Sequence, residues 1–215
     1  KSIKILLNKK GTFILEDPSL IKVMSNNAYD QFYDEHIYVF STLALKKILN
    51  HHKLEIFKIE NIDTHGGSNR YYICRFGNKK IQKSVKKNIQ EEKKSKLDKF
   101  ISYKNFANRV YSSKKKLKKI LSNLEIKNKK VIGYGASAKS TLILNFCELS
   151  KKYISYFTDS TKDKQGKYIP GTNIQIKKQP KTISLNTSYA FLGAWNFYKE
   201  IKIKEKKFLD RGGKF

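Results

Sequence analysis

Between Tyr29 and Phe40 the chain reads YDQFYDEHIYVF, which sets His36 directly after Glu35 and three residues after Tyr33, within a run of tyrosines and phenylalanines. A helix built for burial would separate charged from apolar residues, and this segment interleaves them. An imidazole beside a carboxylate in an aromatic wall is a way to build a general base: the acid orients the ring, and the wall restricts water. A loop histidine with an exposed acid neighbour has the same residue types, so the surroundings must decide between the two.

Two further stretches have the composition of ligand-binding turns. Thr64-His65-Gly66-Gly67-Ser68 places a histidine beside two residues that tolerate positive φ, so that backbone amides can approach a ligand closely; a plain glycine turn has the same signature. The segment VIGYGASAKSTLILNFCEL, from Val131, reads as strand, small-residue turn and apolar helix, a geometry that offers backbone N–H groups to an anion such as a phosphate. Gly133-x-Gly135-x-x-Ala138 meets a permissive dinucleotide pattern, and Gly133 to Ser140 has the outline of a Walker loop with Ala138 at its second glycine. A left-handed position would resist alanine, and Ala190 to Trp195 leads into Asn196 rather than a magnesium-holding acid, which argues against ATP hydrolysis. Asp159, after the run Tyr153–Phe157, fits either a ribose contact or a turn cap.

The elements that must position these residues alternate between strand and helix. Thr12 to Leu15 is a short strand ending at Glu16-Asp17-Pro18, and the carboxyl ends of strands in open α/β sheets are where ligands bind. Ser41-Thr42 offers a cap to a helix over TLALKKILNHH, whose last histidines suit its dipole. Leu54–Ile62 and Asn69–Arg75 read as strands. From Gly77 to Leu124, apolar residues at helical spacing within a lysine- and glutamate-rich background predict connecting helices with a solvated face. A second α/β unit follows, with strands expected over Val131–Tyr134, Tyr153–Phe157, Thr172–Ile176 and Tyr189–Trp195, and a last helix stopping at Arg211-Gly212-Gly213. Trp195 reads as a packing residue at the sheet edge.

With 215 residues, 39% of them apolar and 13% aromatic, the chain has material for one large or two small cores. Its formal net charge of +28 is almost all lysine; Arg70, Arg75, Arg109 and Arg211 are dispersed. Base reading and bidentate phosphate recognition recruit arginine, which argues against a nucleic-acid partner, although anionic ligands should still be attracted in a salt-dependent way. Cys74 and Cys147 are too few and too far apart for a metal knuckle and point to a reduced, cytoplasmic setting. No apolar run reaches the roughly twenty residues of a membrane span, and no signal peptide is evident. The chain reads as starting and stopping in mid-fold.

Taken in order, EDPSL (Glu16–Leu20), YDQFYDEHIYVFS (Tyr29–Ser41), THGGSNRYYICR (Thr64–Arg75), GYGASAKSTLILN (Gly133–Asn145), TDSTKDKQGKYIPGTNIQI (Thr158–Ile176), AWNF and RGGKF resemble the sugar C-methyltransferase family, along essentially the whole chain. The resemblance implies an α/β protein: residues 1–78 as the C-terminal part of a Rossmann-like, S-adenosylmethionine-dependent methyltransferase domain, 79–125 as a helical connector, and 126–215 as a second Rossmann-like domain. It also implies an upstream zinc module and an upstream glycine-rich loop for S-adenosylmethionine, a nucleotide-linked sugar as substrate, and no obligate protein partner. The family's active-site Tyr-x-Glu-His falls on Tyr33, Glu35 and His36. In that setting His36 is the candidate base, Glu35 orients it or shares its proton, and Tyr33 donates to substrate or enolate oxygen. His65, Gly66 and Gly67 are candidates for substrate contact, and Ser137, Lys139 and Ser140 for the pyrophosphate. A non-catalytic module that only holds a nucleotide or nucleotide sugar is the competing reading.

Overall fold

The computed structural model describes residues 2–215, apart from the side chain of His65. The chain forms two compact units, one running to Val110 and the other from Tyr111.

The first unit opens with the short helix α1 (Ser2–Leu6), followed by strand β1 (Phe13–Pro18) and helix α2 (Leu20–Ser25). The 3-10 turn Tyr29–Gln31 and the irregular segment after it lead to helix α3 (Thr42–His51). Strands β2 (Leu54–Ile62) and β3 (Ser68–Arg75) and helix α4 (Lys83–Lys94) complete the set. The sheet order is β1-β3-β2, with β3 antiparallel to both neighbours, so β1 and β2 run parallel, joined through α2 and α3. Side chains alternate across a strand. Phe13 and Leu15 therefore enter a core made with Leu45, Leu49, Ile56, Tyr71, Ile73 and Val85, and Asp17 follows them on the same face. On the opposite face Arg70 reaches Glu16 through Nε (3.1 Å) and Nη2 (2.9 Å), in register with Glu60. This cross-strand charge pairing helps to fix the alignment of all three strands.

The long helix α5 (Phe100–Ile126) carries the division between the units. The connector expected over 79–125 is therefore shared between them: Val85 of α4 lies in the first core, and Leu121 of α5 in the second. The second unit continues with β4 (Val131–Tyr134), α6 (Ala138–Phe146), β5 (Phe157–Asp159), β6 (Ile176–Lys178), β7 (Tyr189–Leu192), α7 (Tyr198–Lys204) and α8 (Lys206–Asp210). Its four strands are parallel in the order β6-β5-β4-β7. β4 is buried along its whole length, as a central strand covered on both faces should be. Leu121, Leu144 and Phe157 belong to one core cluster of this unit, and Ile132, Ile201 and Phe208 to another. The chain is thus α/β throughout.

Several strands are displaced from their expected places. β5 starts only at Phe157, because the Tyr153 N–H turns back to the Ser150 carbonyl. β6 starts at Ile176, after a tight Pro170-Gly171 turn in which the Thr172 hydroxyl donates to the Ile169 carbonyl. β7 stops at Leu192, since the next residue, Gly193, packs against Gly135 and Ser140 so closely that a Cβ there would overlap the Gly135 carbonyl.

Candidate functional site

The segment carrying Tyr33, Glu35 and His36 is held at both ends and irregular between them. At its entry Tyr29, Asp30 and Gln31 are buried in the 3-10 turn. The chain then turns so that the His36 N–H donates to the Tyr33 carbonyl (2.8 Å), which folds the two side chains toward each other. The rings meet edge to face at 4.8 Å, with Nε2 of His36 3.1 Å from the Tyr33 hydroxyl. Aromatic pairs flank them in sequence: Phe32 with Phe106, and Tyr38 stacked on Phe40. The Tyr33 hydroxyl is pushed above the usual phenol range, first by burial and then by the charges of Glu35, Asp30 and Asp34. It is therefore held as a proton donor at any physiological pH.

Glu35 lies on the exposed side of this loop, where it adds negative charge near Tyr33. A different acid near His36 comes from the sheet. Asp17, at the carboxyl end of β1, accepts from the Phe40 N–H (3.4 Å) and lies close enough to His36 for that ring's charge to act on it. Its carboxyl is nevertheless raised above the usual carboxylate range, because burial outweighs both the Phe40 N–H and His36. The sequence marked Asp17 only as a strand-end acid; its burial follows from alternation with Phe13 and Leu15.

Pairing of Asp17 with Asn69 and of Pro18 with Ser68 brings the Thr64–Ser68 turn to the same end of the sheet. Gly66 and Gly67 adopt the expected positive φ, 86° and 121°. Their backbone is engaged with α2: the Gly67 carbonyl accepts from Ser19 N–H, and the Gly66 carbonyl from the Asn26 side-chain amide. The His65 side chain lies outside the described residues.

The second unit has its own strand-end crevice. In a sheet of order β6-β5-β4-β7 the direction of winding reverses between β4 and β7, and the carboxyl ends flanking that point form a ligand crevice. A cavity of about 240 Å³ opens here, lined by Tyr134, Asp159, Gln179, Ala194, Phe197 and Lys204 among others. The Tyr134 hydroxyl at its base is raised by burial and by the buried Glu205 carboxylate to which it donates (3.0 Å).

The three residues expected to meet a pyrophosphate are occupied. Ser137 and Ser140 form a reciprocal capping box at the start of α6, in which Ser137 Oγ accepts from Ser140 N–H (3.2 Å) and Ser140 Oγ from Ser137 N–H (2.8 Å). Ser137 also donates to the Gly193 carbonyl (3.0 Å). The Lys139 side chain is buried with its ammonium 5.2 Å from the centre of the half-buried Trp195 ring, which opens the 3-10 turn after β7. Asp159 acts as a cap: its oxygens accept from Ala136 N–H and Thr161 N–H, both at 2.8 Å. The glycine pattern also has a structural cause. A Cβ on Gly133 would overlap the Phe157 ring, Gly135 has φ +83°, and Ala138 simply begins α6, so no left-handed position opposes it.

The family described as the C-methyltransferase C-terminal domain matches residues 63–215. The chain belongs to that family. Over 214 residues, 99% of this chain, it is 30% identical to the C-methyltransferase NovU of Streptomyces niveus, and it spans about half (51%) of that relative's length. This C-methyltransferase-family chain carries its Tyr33–His36 pair ahead of the matched domain, in the part that only the alignment with NovU covers. Among the described residues no cluster of His, Cys, Asp and Glu would hold a metal ion, and no helix is long and apolar enough to cross a membrane.

Proposed function

We propose that this chain is the part of an S-adenosylmethionine-dependent C-methyltransferase that removes a proton next to the ketone of a nucleotide-linked keto-deoxysugar and directs methylation of the resulting enolate. The observation that carries this reading is the Tyr33 hydroxyl on Nε2 of His36, in a chain of the C-methyltransferase family. S-adenosylmethionine supplies a methyl group on a sulfonium sulfur. The strand-to-helix turn of the first unit, Glu16-Asp17-Pro18-Ser19, has no glycine cradle for it, so no residue described here is assigned to holding it.

On substrate binding the Tyr33 hydroxyl turns from Nε2 to the ketone oxygen, and the freed nitrogen lone pair accepts the α-proton. The C–H electron pair passes into the enolate, whose oxygen Tyr33 stabilises and whose carbon is the nucleophile. Asp17 faces the imidazolium that forms, and Glu35 adds a more solvated negative charge. Taken by itself, the strand-end crevice of the second unit is a candidate for holding a nucleotide, with Phe197 as a stacking face. Ser137, Lys139 and Ser140 shape the start of α6 and do not line that crevice, and His65, Gly66 and Gly67 remain candidate sugar contacts.

The test is proton exchange in deuterated water without methyl donor, followed by NMR on nucleotide-linked 4-keto-6-deoxy sugars with the protein in its full reading frame. The expected result is loss of one α-proton signal that disappears with His36→Ala, while nucleotide affinity stays within about twofold. Turnover unaffected by that substitution would remove His36 from the mechanism.

A further inference from the structure

The loop that bears Tyr33 and His36 ends on a buried acid from a helix that does not otherwise belong to the site. Glu92 of α4 is 1% exposed, and its two carboxylate oxygens accept from consecutive backbone amides at the start of α3, Thr42 N–H at 2.6 Å and Leu43 N–H at 2.9 Å. These are the first helical N–H groups, which lack partners within a helix. The Thr42 hydroxyl donates to Asn88 Oδ1 (2.6 Å), one turn earlier on α4, and lies 3.1 Å from the Tyr71 hydroxyl, which also accepts from Asn69 (3.0 Å). Asn69 is the residue opposite Asp17.

The same end of α4 holds the loop a second time. The Glu92 carbonyl accepts from Leu97 N–H (3.0 Å), and Leu97 forms a small core with Leu20 and Met24 against which Val39 packs. Phe40 N–H is bound by Asp17, Ser41 caps α3 through Ala44 N–H, and Glu92 binds the two amides between them. A carboxylate this deeply buried is tolerated because both oxygens are hydrogen-bonded and it faces a helix N-terminus.

We propose that Glu92 is a positioning residue for the Tyr33–His36 pair, acting through Thr42 and Leu43 to fix where the loop leaves the site. The catalytic part of this statement rests on the function proposed above; the structural part does not. Glutamine at 92 retains one acceptor and turns an NH₂ group toward the second backbone donor, so it breaks the clamp with little change of shape.

The test compares Glu92→Gln and Glu92→Asp with the unaltered 215-residue chain by NMR. With glutamine, the cross-relaxation between the Tyr33 and His36 rings should be lost and the Thr42 and Leu43 amides should exchange faster, while β3 amides stay protected. In the enzyme, kcat should fall about 10²-fold with KM nearly unchanged, and aspartate should restore part of it. Ring contact and amide exchange unaltered by Glu92→Gln would overturn the proposal. If His36→Ala left turnover intact, the functional reading would fail while the ring contact still judged Glu92. Should the glutamine variant not fold, the unaltered chain carries the test: Thr42 and Leu43 must exchange slowly, and exchange at the rate of open helix-start amides overturns the clamp.

Discussion

The Tyr29–Phe40 loop and the turn that leads from β4 into the start of α6 each run into a helix capped by a serine, and both have the composition of a ligand site, yet they spend their polar groups in opposite ways. In the first, the exit is held by acids from elsewhere, Asp17 of β1 and Glu92 of α4, and the Tyr33 hydroxyl meets Nε2 of His36. In the second, the hydroxyls of Ser137 and Ser140 close on their own backbone, and Lys139 lies against Trp195. A turn that must satisfy its own amides has little left for a ligand. A turn satisfied by its neighbours keeps its side chains available, at the cost of depending on residues far away in sequence.

The sharpest way to break this comparison is Tyr33→Phe, which removes only the hydroxyl on His36. Turnover should fall about 10²–10³-fold, as for other oxyanion donors, with the thermal midpoint almost unmoved. A large loss of stability with little loss of turnover would reverse the roles assigned to the two loops.

Ser137→Ala should do the opposite. Loss of the α6 cap costs about 1 kcal/mol, read by denaturant unfolding, with phosphate or nucleotide affinity changed only in proportion. An affinity loss well beyond the stability loss would show that the second loop also meets its ligand through side chains.

The smallest expected effect concerns Asp17 and pH. Burial raises its folded-state pKa above the unfolded value, so the wild-type chain loses stability as pH rises from about 4, the ordinary aspartate range, through that raised value. Asp17→Asn removes this loss: its unfolding midpoint should match wild type in acid, exceed it increasingly across that window, and stay above it at neutral pH. The half-exposed position keeps the difference modest. A variant that loses stability at neutral pH instead would mean that the charged carboxylate contributes more through Phe40 and His36 than burial takes away.

Much of the architecture was legible from local pattern. The α3 cap at Ser41, the β2 and β3 runs and the strand-turn-helix from Val131 stand close to where residue types put them, because capping, alternation and positive φ are decided within a few residues. The strands around Phe157 and Ile176 were misplaced because turns at Ser150 and Pro170 claimed residues with strand-like side chains. Glu92 was hidden by composition: it sits in a lysine-rich helix, yet it continues the inward stripe of Val85, Asn88 and Ile89 at helical spacing.

What the sequence by itself determined was the set of reactive groups and the local turns that bring Tyr33 to His36, since a three-residue spacing needs only one backbone hydrogen bond to close. The tertiary structure decided which acids lie near them or hold the exit of their loop. Glu35, adjacent in sequence, turns to solvent, while Asp17 and Glu92 are brought in by strand alternation and helix packing, and only burial makes a carboxylate's position depend on the few N–H groups that hold it.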